Sequence, residues 1–298
     1  MNTLVVKLNA TGDVVRTTTL LRRLSGPITW ITARGNLALL EGLRPDMRCL
    51  AWEERERAVD AQYDLAINLE DELATAQVVA QCRPARIFGA LLNSDGTVGY
   101  SEDAREWFDM SLISRFGKQR ADERKLLNRR SYQAMIFSGL GYEFRGEMPM
   151  LPAPVRTDLQ GDVAIAPMAG PVWPMKGWAH YEALQQRLQS AGLRVNVLPR
   201  RDSLLEHLGD IANHRCLVSG DSLPMHLALG LGMPCVTIFN CTSPWEIHDY
   251  GLQTQLVSPL LAEFFYKRGM DARATSAIGL QVAVDAVVQA LARHPSKP

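Results

Sequence analysis

Three prolines fall within six residues, Pro149, Pro152 and Pro154, and they divide the chain into two halves of the same rhythm. Proline fixes its backbone and has no amide to donate, so such a run stiffens the chain and forbids regular pairing. On both sides, apolar runs of strand length alternate with stretches of helical apolar spacing. Before the prolines, strands are expected over 4–8, 28–32, 48–51, 65–68 and 86–89, with helices over 14–24, 36–43 and 74–81. Long charged helices follow over 101–141. After the prolines, strands are expected over 163–166, 193–198, 215–219, 234–239 and 255–257, with helices over 178–191, 203–213, 223–231 and 278–292. Alternation of this kind makes parallel sheets covered on both faces. The expectation is an α/β chain of two doubly wound, Rossmann-like domains, 1–150 and 151–298, facing a cleft. The last helix is free to pack back on the first domain.

Composition narrows the function. With 298 residues the chain is long enough for two ordinary domains, and its 32 basic and 32 acidic side chains cancel. A general nucleic-acid binder needs a basic excess, so no nucleic-acid partner is expected. The five cysteines are scattered and form no Cys-x-x-Cys pair, which gives no metal knuckle and suits a reducing cytoplasm. The longest nearly uncharged apolar stretch, 223–238, is broken by Pro224, Gly230, Gly232 and Pro234, so no transmembrane segment is expected. A peripheral membrane contact stays open. No signal peptide is read at the start of the chain.

Ligands of doubly wound sheets bind beyond the carboxyl ends of the strands, which directs attention to four loops. The first, 7–16, holds Gly12 for a tight turn and Asp13 near a helix start, as a cap or as a general base. The second, 166–178, has Lys176 as its one cation and Trp178 as a core residue at a helix start. The third, 218–226, runs through Asp221 and Ser222 into a helix whose first amides suit an anion. His226 within that helix reads as structural. The fourth, 239–246, offers hydroxyls at Thr242 and Ser243, for phosphate or as caps of a helix through Pro244 and Glu246. Neither a dinucleotide-binding G-x-G-x-x-G nor a Walker A motif occurs at a strand–helix turn.

In order, these loops resemble glycosyltransferase family 9, the heptosyltransferases of bacterial surface polysaccharide. The resemblance rests on the strand and Gly-Asp turn of 6–16, Trp-Pro-x-Lys-x-Trp at 173–178, Asp-Ser-x-x-x-His at 221–226 and the Phe…Thr segment at 239–244. Tyr63-Asp-Leu-Ala-Ile-Asn-Leu69 is similar to the family's "YDLVINL" strand. The family implies a GT-B fold, with the acceptor on the first domain and a nucleotide-sugar on the second. It implies metal-independent, inverting transfer from ADP-heptose to a lipopolysaccharide-type glycan or glycolipid, in the cytoplasm, with the donor as substrate and no cofactor.

By position, Asp13 would be the base, with Gly12 beside it, and Lys176 would meet the leaving diphosphate. Asp221 would contact the donor sugar. The amides of Ser222, Leu223, Met225 and His226 would hold the phosphates, and Thr242 and Ser243 would line the same pocket. Asn240 and Cys241 stand where the family has Gly-Pro, and Leu223 stands where most members have Gly. The second half is short by about one βα unit, one that in relatives often supplies an acidic residue to the ribose. Asp202 and Glu206 are the nearest substitutes, although Ser203-x-x-Glu206 is also a capping box. Arg115 to Arg130 form a basic stretch, read as a solvated face. Other readings of the same residues are a transferase acting on a small acceptor, a nucleotide-sugar-binding protein without turnover, and a sugar-nucleotide epimerase.

Overall fold

A computed structural model describes residues 1–294. They form two compact units, 1–152 and 153–294. The first unit holds β1 (Thr3–Val6), β2 (Ile28–Thr32), β3 (Met47–Ala51), β4 (Leu65–Asn68), β5 (Arg86–Leu92) and β6 (Val98–Tyr100), in the order β3-β2-β1-β4-β5-β6. The first five are parallel. β6 returns antiparallel beside β5 through a turn closed by Asn93, Asp95 and Gly96. β1 and β4 are buried at every position, as the centre of a sheet covered on both faces requires. At Gly89 the strand bends with φ +99°, and a Cβ there would lie 2.0 Å from the Asn68 carbonyl oxygen, so only glycine fits.

The second unit holds β7 (Val163–Ala166), β8 (Val195–Val197), β9 (Cys216–Gly220), β10 (Cys235–Phe239) and β11 (Gln253–Val257), all parallel, in the order β11-β10-β9-β7-β8. Counted within the unit, the order is 2-1-3-4-5. This is a five-stranded doubly wound order; the six-stranded dinucleotide-binding order has one further strand, outside the second. The final helix, Leu280–Arg293, lays Ala283, Val287 and Leu291 on its own unit's core beside Val236 and Ile238.

Segment 101–141 contains Arg105–Phe108, Gly117–Leu127 and Tyr132–Gly139. The last buries Tyr132, Ile136 and Phe137, while Gly117–Leu127 buries only Ala121. Its charges pair locally, Arg120 with Glu123 at 2.8 Å and Lys118 with Asp122, so it is a solvated face. Among the described residues no helix is long and apolar enough to cross a membrane.

Candidate functional site

In the first unit, β1 and β4 lie side by side, and the loops leaving them share one set of charges. Glu70 follows β4 and is 5% exposed. Its Oε1 accepts hydrogen bonds from Lys7 Nζ at 2.8 Å, the Leu8 amide at 2.7 Å and the Asn9 amide at 3.1 Å. This clamps the loop after β1, where Ala10 adopts a left-handed conformation (φ 55°) before the helix Thr11–Thr17. Asp13 is the third residue of that helix. Its carboxylate lies 3.0 Å from the Arg16 guanidinium and 3.9 Å from Lys7 Nζ, with its side chain 29% exposed. Arg16 in turn stacks on Tyr132, 3.9 Å from the ring centre. Burial would lower the Lys7 pKa, but the carboxylates of Asp13 and Glu70 outweigh it and hold Lys7 above its ordinary value.

In the second unit, the loop after β7 folds through a short turn, Pro174–Lys176, onto the end of β9. The contact is close: a Cβ on Gly220 would lie 2.5 Å from the Lys176 carbonyl oxygen. Asn240 Nδ2 holds the same loop by donating to the Gly177 carbonyl at 2.7 Å, and Trp178 Nε1 donates to the Ile278 carbonyl at 2.8 Å. Lys176 Nζ thereby comes 3.0 Å from Asp221 Oδ2. Burial opposes ionisation of Asp221, but Lys176, His226 and the Thr242 hydroxyl overcome it and hold its carboxyl at about 2.

Three other side chains at the carboxyl ends of β9 and β10 are at most 2% exposed. Ser219 Oγ, Asn240 Oδ1 and Ser243 Oγ have no hydrogen-bond partner in the protein. Buried polar atoms in native proteins are nearly always paired, so such a group suits a polar ligand. Next to Ser222 and Leu223 opens a cavity of about 340 Å³ walled by Ala166, Pro167 and Leu198, with Arg200 and His207 on it. Burial keeps His207 below its ordinary pKa.

Residues 173–263 match the family model described as glycosyltransferase family 9 (heptosyltransferase). That stretch, within the second unit, is similar to glycosyltransferase family 9. Solved structures agree on a GT-B fold. A family 9 glycosyltransferase from Veillonella parvula superposes with a TM-score of 0.72 at 16% identity, covering 98% of this chain and 97% of that one. Escherichia coli heptosyltransferase WaaC with ADP gives 0.63 at 17% identity, covering 97% and 100%. The iron-containing dodecameric glycosyltransferase TibC of enterotoxigenic E. coli gives 0.61 at 12% identity, covering 99% of this chain and 77% of that one. A search of curated proteins finds no match by sequence. Among the described residues, no group of three or more His, Cys, Asp or Glu side chains is placed to hold a metal ion.

Of the family 9 residues singled out in the sequence, Lys176, Asp221, His226 and Thr242 come together in the second unit, and Asp13 lies in the first. Several local readings change. Gly12 is a buried helical residue, and the left-handed position is Ala10. Asp13 is the third residue of its helix and not the cap residue, which is Ala10. Met225 and His226 do not offer free amides, since both donate to the Ser222 carbonyl, and Pro224 has none. Ser222 and Leu223 are left as the donors of that turn. No helix follows Thr242 and Ser243; the chain passes through a turn closed by Ile247 N on the Pro244 carbonyl. Ser203 does cap its helix, its hydroxyl accepting from the Glu206 amide at 3.4 Å. Glu70 was missed, because one acid after an apolar strand carries no signal until β4 is seen beside β1.

Proposed function

We propose that this protein transfers a heptose, or a closely related sugar, from an ADP-linked donor to a hydroxyl of a lipopolysaccharide-type glycan, with inversion. The acceptor belongs to the first unit and the nucleotide-sugar to the second. Asp13 removes the proton of the acceptor hydroxyl as its oxygen attacks the anomeric carbon from the face opposite the diphosphate. The bond from that carbon to the diphosphate oxygen breaks, and ADP leaves as an anion. Lys176 and the amides of Ser222 and Leu223 meet the charge that develops, which is where fixed donors accelerate the step. No metal step is required in this scheme.

Asp221 shares Lys176 before the donor arrives and turns to a sugar hydroxyl afterwards. Ser243 and Thr242 complete the lining, and the base occupies the apolar cavity, whose volume lies in the range of small-ligand pockets. The single observation that carries this assignment is the Lys176–Asp221 pair beside buried polar atoms that the protein itself leaves unpaired. All five cysteines are free thiols, which favours the cytoplasm as the compartment.

The test is acceptor-dependent release of ADP from ADP-heptose, with the anomeric configuration of the product read by NMR. Release with inversion supports the proposal. Donor binding with no transfer to any heptose-acceptor glycan, or conversion of the nucleotide-sugar with no acceptor present, contradicts it.

A further inference from the structure

Asp13 stands between two cations. Arg16, on its own helix, is 3.0 Å away, and Lys7, at the end of β1, is 3.9 Å away. Both cations are nearly buried, at 6% exposure each. A carboxylate held by two desolvated cations at a helix start is strongly stabilised as the anion and takes a proton poorly. Glu70 changes that balance. Its Oε1 is 2.8 Å from Lys7 Nζ, closer than Asp13 is, so the Lys7 charge is largely spent on Glu70. Lys7, Arg16, Asp13 and Glu70 then sum to zero.

From the neighbouring elements, Lys125 shares the Trp107 ring with Arg16, each 5.6 Å from its centre, and both variants below leave that cation in place. Tyr132, from the helix Tyr132–Gly139, lies under the Arg16 guanidinium, and burial raises its pKa, so it is a neutral phenol. Its hydroxyl is 2.9 Å from Thr17 Oγ1, which donates to the Asp13 carbonyl. Glu72 is engaged with the Asn9 side chain at 3.3 Å.

We propose that Glu70 is a positioning residue that sets the basicity of Asp13 by taking up the charge of Lys7, while its same oxygen fixes the loop that carries both. This rests on the assignment of Asp13 as the base. Through this relay an anion that never touches substrate keeps the catalytic carboxylate reactive.

Glu70→Gln separates charge from scaffold. The amide oxygen still accepts from Lys7, Leu8 and Asn9, and only the negative charge goes. The Asp13 carboxyl is followed by ¹³C NMR in aspartate-labelled protein, assigned by Asp13→Asn, alongside the pH profile of kcat/KM. In Glu70→Gln the Asp13 titration and the acid limb of the profile move together to lower pH, by about one unit. The plateau of kcat falls, and KM for the donor stays the same. Lys7→Gln, which leaves the anion in place, moves both the other way and gives a second arm if Glu70→Gln does not fold.

An Asp13 titration unchanged in both variants overturns the proposal. A titration that moves while the kinetic limb stays fixed upholds the role of Glu70 and overturns Asp13 as the base instead.

Discussion

Each unit sets a lysine against a carboxylate at the carboxyl end of its sheet, yet the two pairs differ in how completely they are satisfied. Lys7 and Glu70 approach to 2.8 Å, and the same Glu70 oxygen also takes two backbone amides, so that network is closed. Lys176 and Asp221 approach to 3.0 Å, but the lysine side chain keeps 22% exposure and the buried Ser219, Asn240 and Ser243 nearby have polar atoms without protein partners. A closed polar network fixes geometry, and an open one awaits a ligand. In the proposed reading, the first unit's lysine holds a loop and tunes Asp13, while the second unit's lysine is available to an anion.

The largest effect should come from breaking the closed pair. Glu70→Leu strands Lys7 in the core and should cost ~3–5 kcal/mol by denaturant unfolding, much of it recovered in Lys7→Met/Glu70→Leu. An equal loss in the double variant would mean that the amide contacts, not the charge, do the holding. Next, Gly220→Ala forces a methyl group against the Lys176 carbonyl and should cost ~1–3 kcal/mol, with ADP affinity falling further than stability.

Acid should act on the open pair. The Asp221 pKa is depressed in the folded state, so its contribution is fully present above the ordinary value of 3.8 and is lost as pH falls through about 2. Unfolding followed from pH 4 to pH 2 should show a loss of about 2 kcal/mol that Asp221→Asn does not show. Smallest is Ser243→Ala. Removing a hydroxyl with no protein partner should leave stability equal or raise it by ~1 kcal/mol while weakening ADP binding. A destabilised variant would show that the hydroxyl serves the fold.

Much of this was legible in the sequence for identifiable reasons. The strands announce themselves because a parallel sheet buried on both faces needs continuous runs such as Val163–Ala166, and the proline cluster falls where the two units divide. The β5–β6 hairpin escaped because Val98–Tyr100 is three residues long and only partly buried. The roles given to Gly12 and to the Met225 and His226 amides were misplaced, because helix boundaries shift by a residue or two and each shift decides which amides are free. Glu70 escaped for a different reason: its meaning comes from a partner 63 residues away.

The central claim is a division of labour, with proton removal by Asp13 in the first unit and diphosphate binding by Lys176 in the second. Calorimetric ADP binding and single-turnover transfer, measured on Asp13→Ala and Lys176→Ala together, test it most directly. Asp13→Ala should bind ADP as the unaltered protein does and lose about 10²–10⁴-fold in transfer rate. Lys176→Ala should lose ADP affinity as well as rate. Normal transfer by Asp13→Ala, or normal ADP affinity in Lys176→Ala, would contradict the account.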